Sequence, residues 1–179
     1  KALIDELHSA LDPKAYRKAV ALLAESEFID IFGVENSLTP AMDLFTKLGY
    51  LGLTCRLNTD AYLQQIGAGH LPHGAVAVAF SHSGSSADTV KALRLAKSHG
   101  AKTIAITNAI GAPLASWADV TLLTGRDSHT IYGNAIFSRV ADTALVDMLY
   151  MGVILSDYGR FSTALDESGR MIRDRVFEN

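Results

Sequence analysis

The densest concentration of chemistry in this 179-residue chain is Ser81-His82-Ser83-Gly84-Ser85-Ser86. Four hydroxyls, an imidazole and a glycine fill six consecutive positions. They stand directly after the apolar run Ala75 to Phe80 and directly before the amphipathic stretch that opens at Ala87. A loop passing from a strand into a helix N-terminus offers free backbone N–H groups and the positive end of the helix dipole to an anion. Serine hydroxyls add donors without charge or bulk, and Gly84 lets the backbone turn closely around a ligand. The expectation is a bound phosphate; the competing reading is a plain turn capped by Ser85 or Ser86, for which one serine suffices. No base–orienter pair stands beside His82 in the sequence, so donation to a phosphate or hydroxyl is its simpler role.

A second loop, Gly33-Val34-Glu35-Asn36-Ser37, follows an earlier β-rich run. In a parallel sheet both loops leave at one edge, so Ser37 and the loop 81–86 can converge on one ligand. Taken alone, Gly33 can equally end a strand and Ser37 cap a helix. The chain has no Gly-x4-Gly-Lys-Ser/Thr and no Gly-x-Ser-x-Gly, which argues against a nucleotide P-loop and a hydrolase elbow. Gly67-Ala68-Gly69 follows a helix and lacks the third glycine of a dinucleotide fingerprint. His70 and His73 have no flanking thiol or carboxylate and read as surface histidines, so no metal and no cofactor is expected. Cys55 is alone, which excludes an intrachain disulfide and indicates a reducing, cytoplasmic compartment. No Glu occurs between Glu35 and Glu167, so a carboxylate base in the body of the chain must be Glu35 or one of Asp43, Asp60, Asp88, Asp119, Asp127, Asp142 and Asp147. Asp142 and Asp147 fall on a helix and are read as exposed or paired. No catalytic residue is assigned. Tyr62, His70, His73 and His129 are left open as lining residues.

These loops need a frame, and the alternation of patterns supplies one. Strands are expected over 28–33, 53–57, 75–80, 103–107 and 120–123, with helices between them. The run AVAVAF is uninterruptedly apolar, as in a strand buried on both faces. Helices are expected from the Asp12-Pro13 cap, over 37–51, 60–66, 87–99, 113–117 and about 134–155, with a terminal one over 158–176. The long helix carries an apolar stripe at Ile136, Phe137, Val140, Ala144, Leu145, Met148 and Leu149, and Val146, Tyr150, Met151 and Val153 cover much of the rest. Such a helix must be covered on most sides, by other helices or by a second subunit. The result is one α/β domain with a parallel sheet between two helical layers.

Composition bounds the function. The chain is 49% apolar and 20% charged, which fits a packed globular domain. With 16 basic against 19 acidic residues and no basic run, this piece is not expected to contact DNA. No apolar stretch approaches the ~20 residues that span a bilayer.

The run from Gly33 to Ser37 followed by AVAVAFSHSGSSADTVKALRLAKSHGAKTIAITN resembles the sugar isomerase (SIS) domain. The segment Ser138-Arg139-Val140-Ala141-Asp142-Thr143-Ala144-Leu145-Val146-Asp147 further resembles the effector domain of RpiR-type bacterial transcriptional regulators. The similarity covers roughly residues 12 to 155. It implies a three-layer α/β/α fold with a five-stranded parallel sheet, flavodoxin-like in winding, and a homodimer or higher homo-oligomer. It also implies that Ser81, Ser83 and Ser86 hold the phosphate of a sugar or amino-sugar phosphate beside His82, with Asn36 and Ser37 on the sugar or its phosphate. Glu35 departs from the family's Gly-x-Gly-x-Ser pattern. The expected function is phosphosugar sensing, relayed to an N-terminal helix-turn-helix domain; the start at Lys1 suits a chain from which that domain is missing. The alternative is an aldose–ketose isomerase. Isomerases of the family keep a glutamate near the start of the helix after the fifth strand, where this chain offers Asn134, Ser138 and Arg139; Asp127 or His129 are the substitutes within reach.

Overall fold

A computed structural model describes residues 2–125 and 138–173. Five strands form one all-parallel sheet: β1 (Ile29–Phe32), β2 (Cys55–Leu57), β3 (Val76–Phe80), β4 (Lys102–Thr107) and β5 (Val120–Leu123). Their spatial order is β2-β1-β3-β4-β5. Ile29 pairs with Val76 and Ile31 with Val78, so β1 and β3 lie in register side by side. After β1 the chain turns one way, to β2; after β3 it turns the other way, to β4. A doubly wound sheet opens a crevice at the carboxyl ends of the two strands where this reversal occurs.

Seven α-helices among the described residues cover the sheet: α1 (Ala2–Ala10), α2 (Pro13–Glu25), α3 (Leu38–Tyr50), α4 (Ala61–Ala68), α5 (Ala87–Ser98), α6 (Val140–Ser156) and α7 (Tyr158–Met171). The period-two alternation of β3 explains the layering. Val76, Val78 and Phe80 enter the core shared with α1, α2, α3, α6 and α7, while Ala77 and Ala79 face Ala92, Leu93 and Ala96 of α5. Branched side chains fill the deep layer, and alanine on both sides of the shallow one lets α5 approach closely. The expected α/β/α architecture with five parallel strands is therefore what the chain forms.

Individual elements differ from the sequence-based expectation. Helix α1 was not expected. The stretch 113–117 contains only a single 3-10 turn at Ala115–Trp117. The long helix begins at Val140 rather than about 134: Ser138 and Arg139 are not helical, and the Ser138 hydroxyl accepts the Val140 N–H (3.2 Å). Residues 134–137 lie outside the described residues, as do 174–176 of the expected terminal helix. The apolar stripe also has a different phase. Val140 and Met148 are exposed (54% and 39%), while Ala141, Val146 and Val153 join Leu145 and Leu149 inside. A helix apolar on nearly every side has no polar face to fix its rotation, so packing decides it. Of the two readings of Asp142, exposed or paired, the structure gives the second: it is 5% exposed and lies at ion-pair distance from His82.

Helix α6 is seated against α2 at Gly152. The Tyr16 hydroxyl crosses from α2 to donate to the Met148 carbonyl (2.6 Å). A Cβ at position 152 would collide with that hydroxyl and stand 2.7 Å from Val20 Cγ2. Gly152→Ala, favourable by helix propensity alone, is therefore expected to destabilise the fold by about 1–3 kcal/mol through overpacking. Denaturant unfolding measures it; a stabilised variant would contradict the tight α2–α6 seat.

Candidate functional site

A cavity of about 440 Å³ lies at the reversal between β1 and β3. Its wall is Val34, Glu35, Asn36 and Ser37 from the loop after β1, Ser81, His82, Ser83, Ser85, Ser86 and Asp88 from the loop after β3 and the start of α5, and Arg139 ahead of α6. All six residues expected at the site (Asn36, Ser37, Ser81, His82, Ser83, Ser86) thus line one cavity. Its volume lies within the usual range for small-molecule pockets, about 300–1,000 Å³. Tyr62, His70 and His73 are not in its wall, and Asp127 and His129 lie outside the described residues.

The serine loop is pinned on the side away from the cavity. The His82 carbonyl accepts from Asn108 N–H (3.0 Å) and from the Thr107 hydroxyl (3.1 Å), and the Gly84 carbonyl accepts from Leu114 N–H (2.9 Å). Gly84 takes φ +61°, and a Cβ there would collide with Ala112 and sit 2.8 Å from Thr107 Oγ1. Only glycine fits. The first helical bond of α5 runs from Val90 N–H to the Ser86 carbonyl. The amides of Ala87, Asp88 and Thr89 are therefore left without a helical acceptor.

Ser86 stands at the N-cap but its side chain makes no capping bond; its oxygen instead accepts from the Thr89 hydroxyl (3.3 Å). Ser83 Oγ accepts from Ser85 N–H (3.2 Å), and the Ser85 hydroxyl returns a bond to the Ser83 carbonyl (3.2 Å). Neither Ser85 nor Ser86 makes a side-chain capping bond to α5, so the capping role expected of one of them in the plain-turn reading is not seen. Ser37 likewise precedes α3 without a side-chain cap.

The loop after β1 is held from α4. The buried Gln64 amide donates from Nε2 to the Gly33 carbonyl (2.7 Å) and the Asn58 carbonyl (2.8 Å), and its Oε1 accepts the Gly33 N–H (3.2 Å). Both backbone groups of Gly33 are thereby fixed by one side chain, which the sequence reading did not single out.

Two further groups escaped the sequence reading as site residues. Arg139 lines the cavity, and its Nε and Nη1 are buried with no hydrogen-bond acceptor among the described residues. Asp142 places Oδ2 4.0 Å from His82 Nδ1. Burial pushes the Asp142 carboxyl up from the ordinary range, opposed by a hydrogen bond from Thr124 and by the positive charges of His82 and Arg139. His82 thus has a carboxylate within ion-pair distance, contrary to the expectation that nothing of the kind stands beside it. Asp142 stood in the sequence only as one of several candidate carboxylates and Arg139 only as a residue near a helix start, and no spacing tied either to His82. Cys55 is chemically quiet: burial pushes its thiol up to about 12. No group of three or more metal-ligating side chains, and no helix long and apolar enough to cross a membrane, occurs among the described residues.

The SIS domain family model matches residues 22–152. Along its whole length the chain is 30% identical to an uncharacterized HTH-type transcriptional regulator of Caldanaerobacter subterraneus subsp. tengcongensis, spanning 64% of that protein. It is 28% identical to the HTH-type transcriptional regulator HexR of Escherichia coli K12 over 99% of this chain and 61% of HexR. The chain thus spans less than two thirds of these relatives. In fold it is similar to the Vibrio vulnificus NanR protein complexed with ManNAc-6P (TM-score 0.90, 24% identity, 98% of this chain and 66% of that one). It is also similar to the sugar isomerase domain of the RpiR transcription factor from Sphaerobacter thermophilus (TM-score 0.83, 23% identity, 93% and 92%).

The raised Asp142 carboxyl fixes the sign of a stability change. Such a group binds its proton more tightly folded than unfolded, so its burial costs nothing below the ordinary carboxyl value of 3.8 and destabilises as pH rises through and beyond it. Asp142→Asn keeps the shape and removes the charge. Its Tm is expected to exceed that of the parent at pH 7, with the gain shrinking toward pH 4. A lower Tm at pH 7 would mean that attraction to His82 and Arg139 outweighs burial.

Proposed function

The chain belongs to the SIS domain family, and from that premise we propose that it is the phosphosugar-sensing effector part of an RpiR-type transcriptional regulator, acting in the cytoplasm. The observation that carries this reading is the cavity at the β1/β3 reversal, where unreceived amides and serine hydroxyls gather at the start of α5. Ser81, Ser83 and Ser86 hold the phosphate with the N-terminal amides of α5; Asn36 and Ser37 face the sugar, or amino sugar, from the opposite loop. Arg139, whose buried Nε and Nη1 lack an acceptor among the described residues, supplies the positive charge. The relatives named as HTH-type regulators support the regulatory role, and the ManNAc-6P complex of the similarly folded NanR supports the ligand class. DNA is contacted by a helix-turn-helix domain that precedes this one, and ligand state reaches it through a homodimer or higher homo-oligomer.

The path to that dimer starts at α6. Arg139 in the cavity wall and the buried Asp142 sit at its beginning, and Val140, Met148, Met151 and Leu155 form an exposed apolar stripe along it (from 39% exposed at Met148 to 67% at Leu155). A partner subunit covers such a stripe. A second reading, aldose–ketose isomerase, is favoured by the nearness of His82 to Asp142, which gives an imidazole and a carboxylate beside the cavity.

Thermal-shift measurements with phosphosugars, each beside its unphosphorylated parent, test the ligand. A ligand at 100 times its Kd adds about 2.7 kcal/mol, which raises Tm by roughly 5–10 °C for a domain of this size. Stabilisation is expected only with phosphorylated compounds and is lost in Ser83→Ala; equal shifts with the parents would contradict a phosphate site. Incubating the best ligand with the protein separates the two readings: recovery unchanged supports sensing, and conversion to its ketose or aldose partner supports the isomerase. For the assembly, Met151→Glu buries a charge in the stripe and is expected to yield monomers in sedimentation at concentrations where the parent is dimeric. An unchanged sedimentation profile would place the interface elsewhere.

A further inference from the structure

Glu35 is the one non-glycine residue with positive φ among the described residues, at +51°. The left-handed region disfavours any residue that carries a Cβ. The turn around it cannot relax freely. Gln64 clamps both backbone groups of Gly33, and Ser37 N–H donates to the Val34 carbonyl (3.0 Å) to close the 3-10 turn Glu35–Ser37. At this strained position the chain carries a carboxylate rather than a glycine. The Glu35 side chain is exposed, makes no hydrogen bond or ion pair with any described residue, and belongs to the wall of the cavity.

A fixed negative charge in that wall works against a phosphate, whose proposed donors lie away from the loop after β1: the hydroxyls of Ser81, Ser83 and Ser86, the first amides of α5, and Arg139 ahead of α6. The charge is favourable only toward a ligand that presents hydrogen-bond donors or positive charge at its other end. We infer that Glu35 is the specificity-determining residue of the cavity, accepting hydrogen bonds from the non-phosphate part of the ligand. It selects sugar phosphates bearing hydroxyl or ammonium groups there and rejects those bearing a second acid. The inference rests on the phosphosugar reading above and deepens it. A unit charge about 4 Å from a carboxylate changes affinity by about fivefold even at the dielectric of water, and by more in a partly enclosed cavity.

Glucosamine 6-phosphate, glucose 6-phosphate and 6-phosphogluconate share a phosphate and six carbons and differ in the charge carried beyond the phosphate. Titration calorimetry of the protein with each, and with inorganic phosphate, reads the effect. The expected order of affinity is ammonium sugar first, neutral sugar second and sugar acid last, with at least about fivefold between the ends. Glu35→Gln is expected to collapse that spread while leaving the affinity for inorganic phosphate no weaker. Glu35→Gly removes the charge and the strain together, so it is expected to collapse the spread and to raise Tm. A spread that persists in Glu35→Gln, or is absent in the parent protein, overturns the inference while leaving the phosphate site standing. Failure of all four compounds to bind overturns the phosphosugar reading, and the inference with it.

Discussion

The amides of Ala87, Asp88 and Thr89 point out of a helix end with no carbonyl to receive them, and the surrounding architecture holds them open. Helix α5 starts where β3 ends, and β3 lies beside β1 at the point where the winding of the sheet reverses. The connections leave that point in opposite directions, so no backbone covers the gap. Gly84 takes a conformation and a space that a side chain would forbid, and the carbonyls of His82 and Gly84 are tied down on the far side. The loop can therefore present donors without collapsing onto them. Ser86 completes the arrangement by turning its oxygen to Thr89 rather than capping the helix.

Charge around this opening is mixed. Asp88 in the first turn of α5 complements the helix dipole and accepts from Gln65 Nε2 (3.1 Å), a link between α4 and α5. Arg139 brings positive charge with buried donors that find no acceptor among the described residues, and Asp142 is buried with its carboxyl raised by burial. An anion entering the cavity meets Arg139 at the start of the helix that also carries the exposed stripe Met148, Met151 and Leu155. Under the proposed function, ligand and subunit contact would act on the same helix and its first flanking residue. Coupling of this kind requires that the ligand favour one of two arrangements of α6 over the other. The tight seat of Gly152 against Tyr16 and Val20 makes small continuous adjustments of that helix costly.

Much of the frame was legible because parallel strands are written as short apolar runs and the helices between them as stripes. AVAVAF declared a strand buried on both faces, and its alternation of alanine with larger residues even sorts the two layers. Of the cavity's lining residues, Ser37 and those of the loop 81–86 were legible because they sit in loops that follow strands of one parallel sheet, and Asn36 was legible through the family resemblance. Asp142 was not placed, since its partners are the distant His82 and Thr124 and only the folded sheet brings them together, and Arg139 reaches the cavity wall only once α6 is docked. Gln64 was equally silent: a glutamine on an amphipathic helix gives no hint that it clamps Gly33. The rotation of α6 was misjudged because apolar residues surround it, and α1 was missed because nothing in the first residues marks a helix start as Asp12-Pro13 does for α2.

The proposed function requires that an anion be held by the loop after β3 and the first turn of α5. Amide chemical shifts of isotope-labelled protein, followed while inorganic phosphate is added, test it most directly. The account predicts saturable shifts concentrated at the amides of 83–89, with smaller ones at 35–37 and none on the far face around β5. Shifts that are absent, that never saturate, or that centre outside this cavity would contradict it.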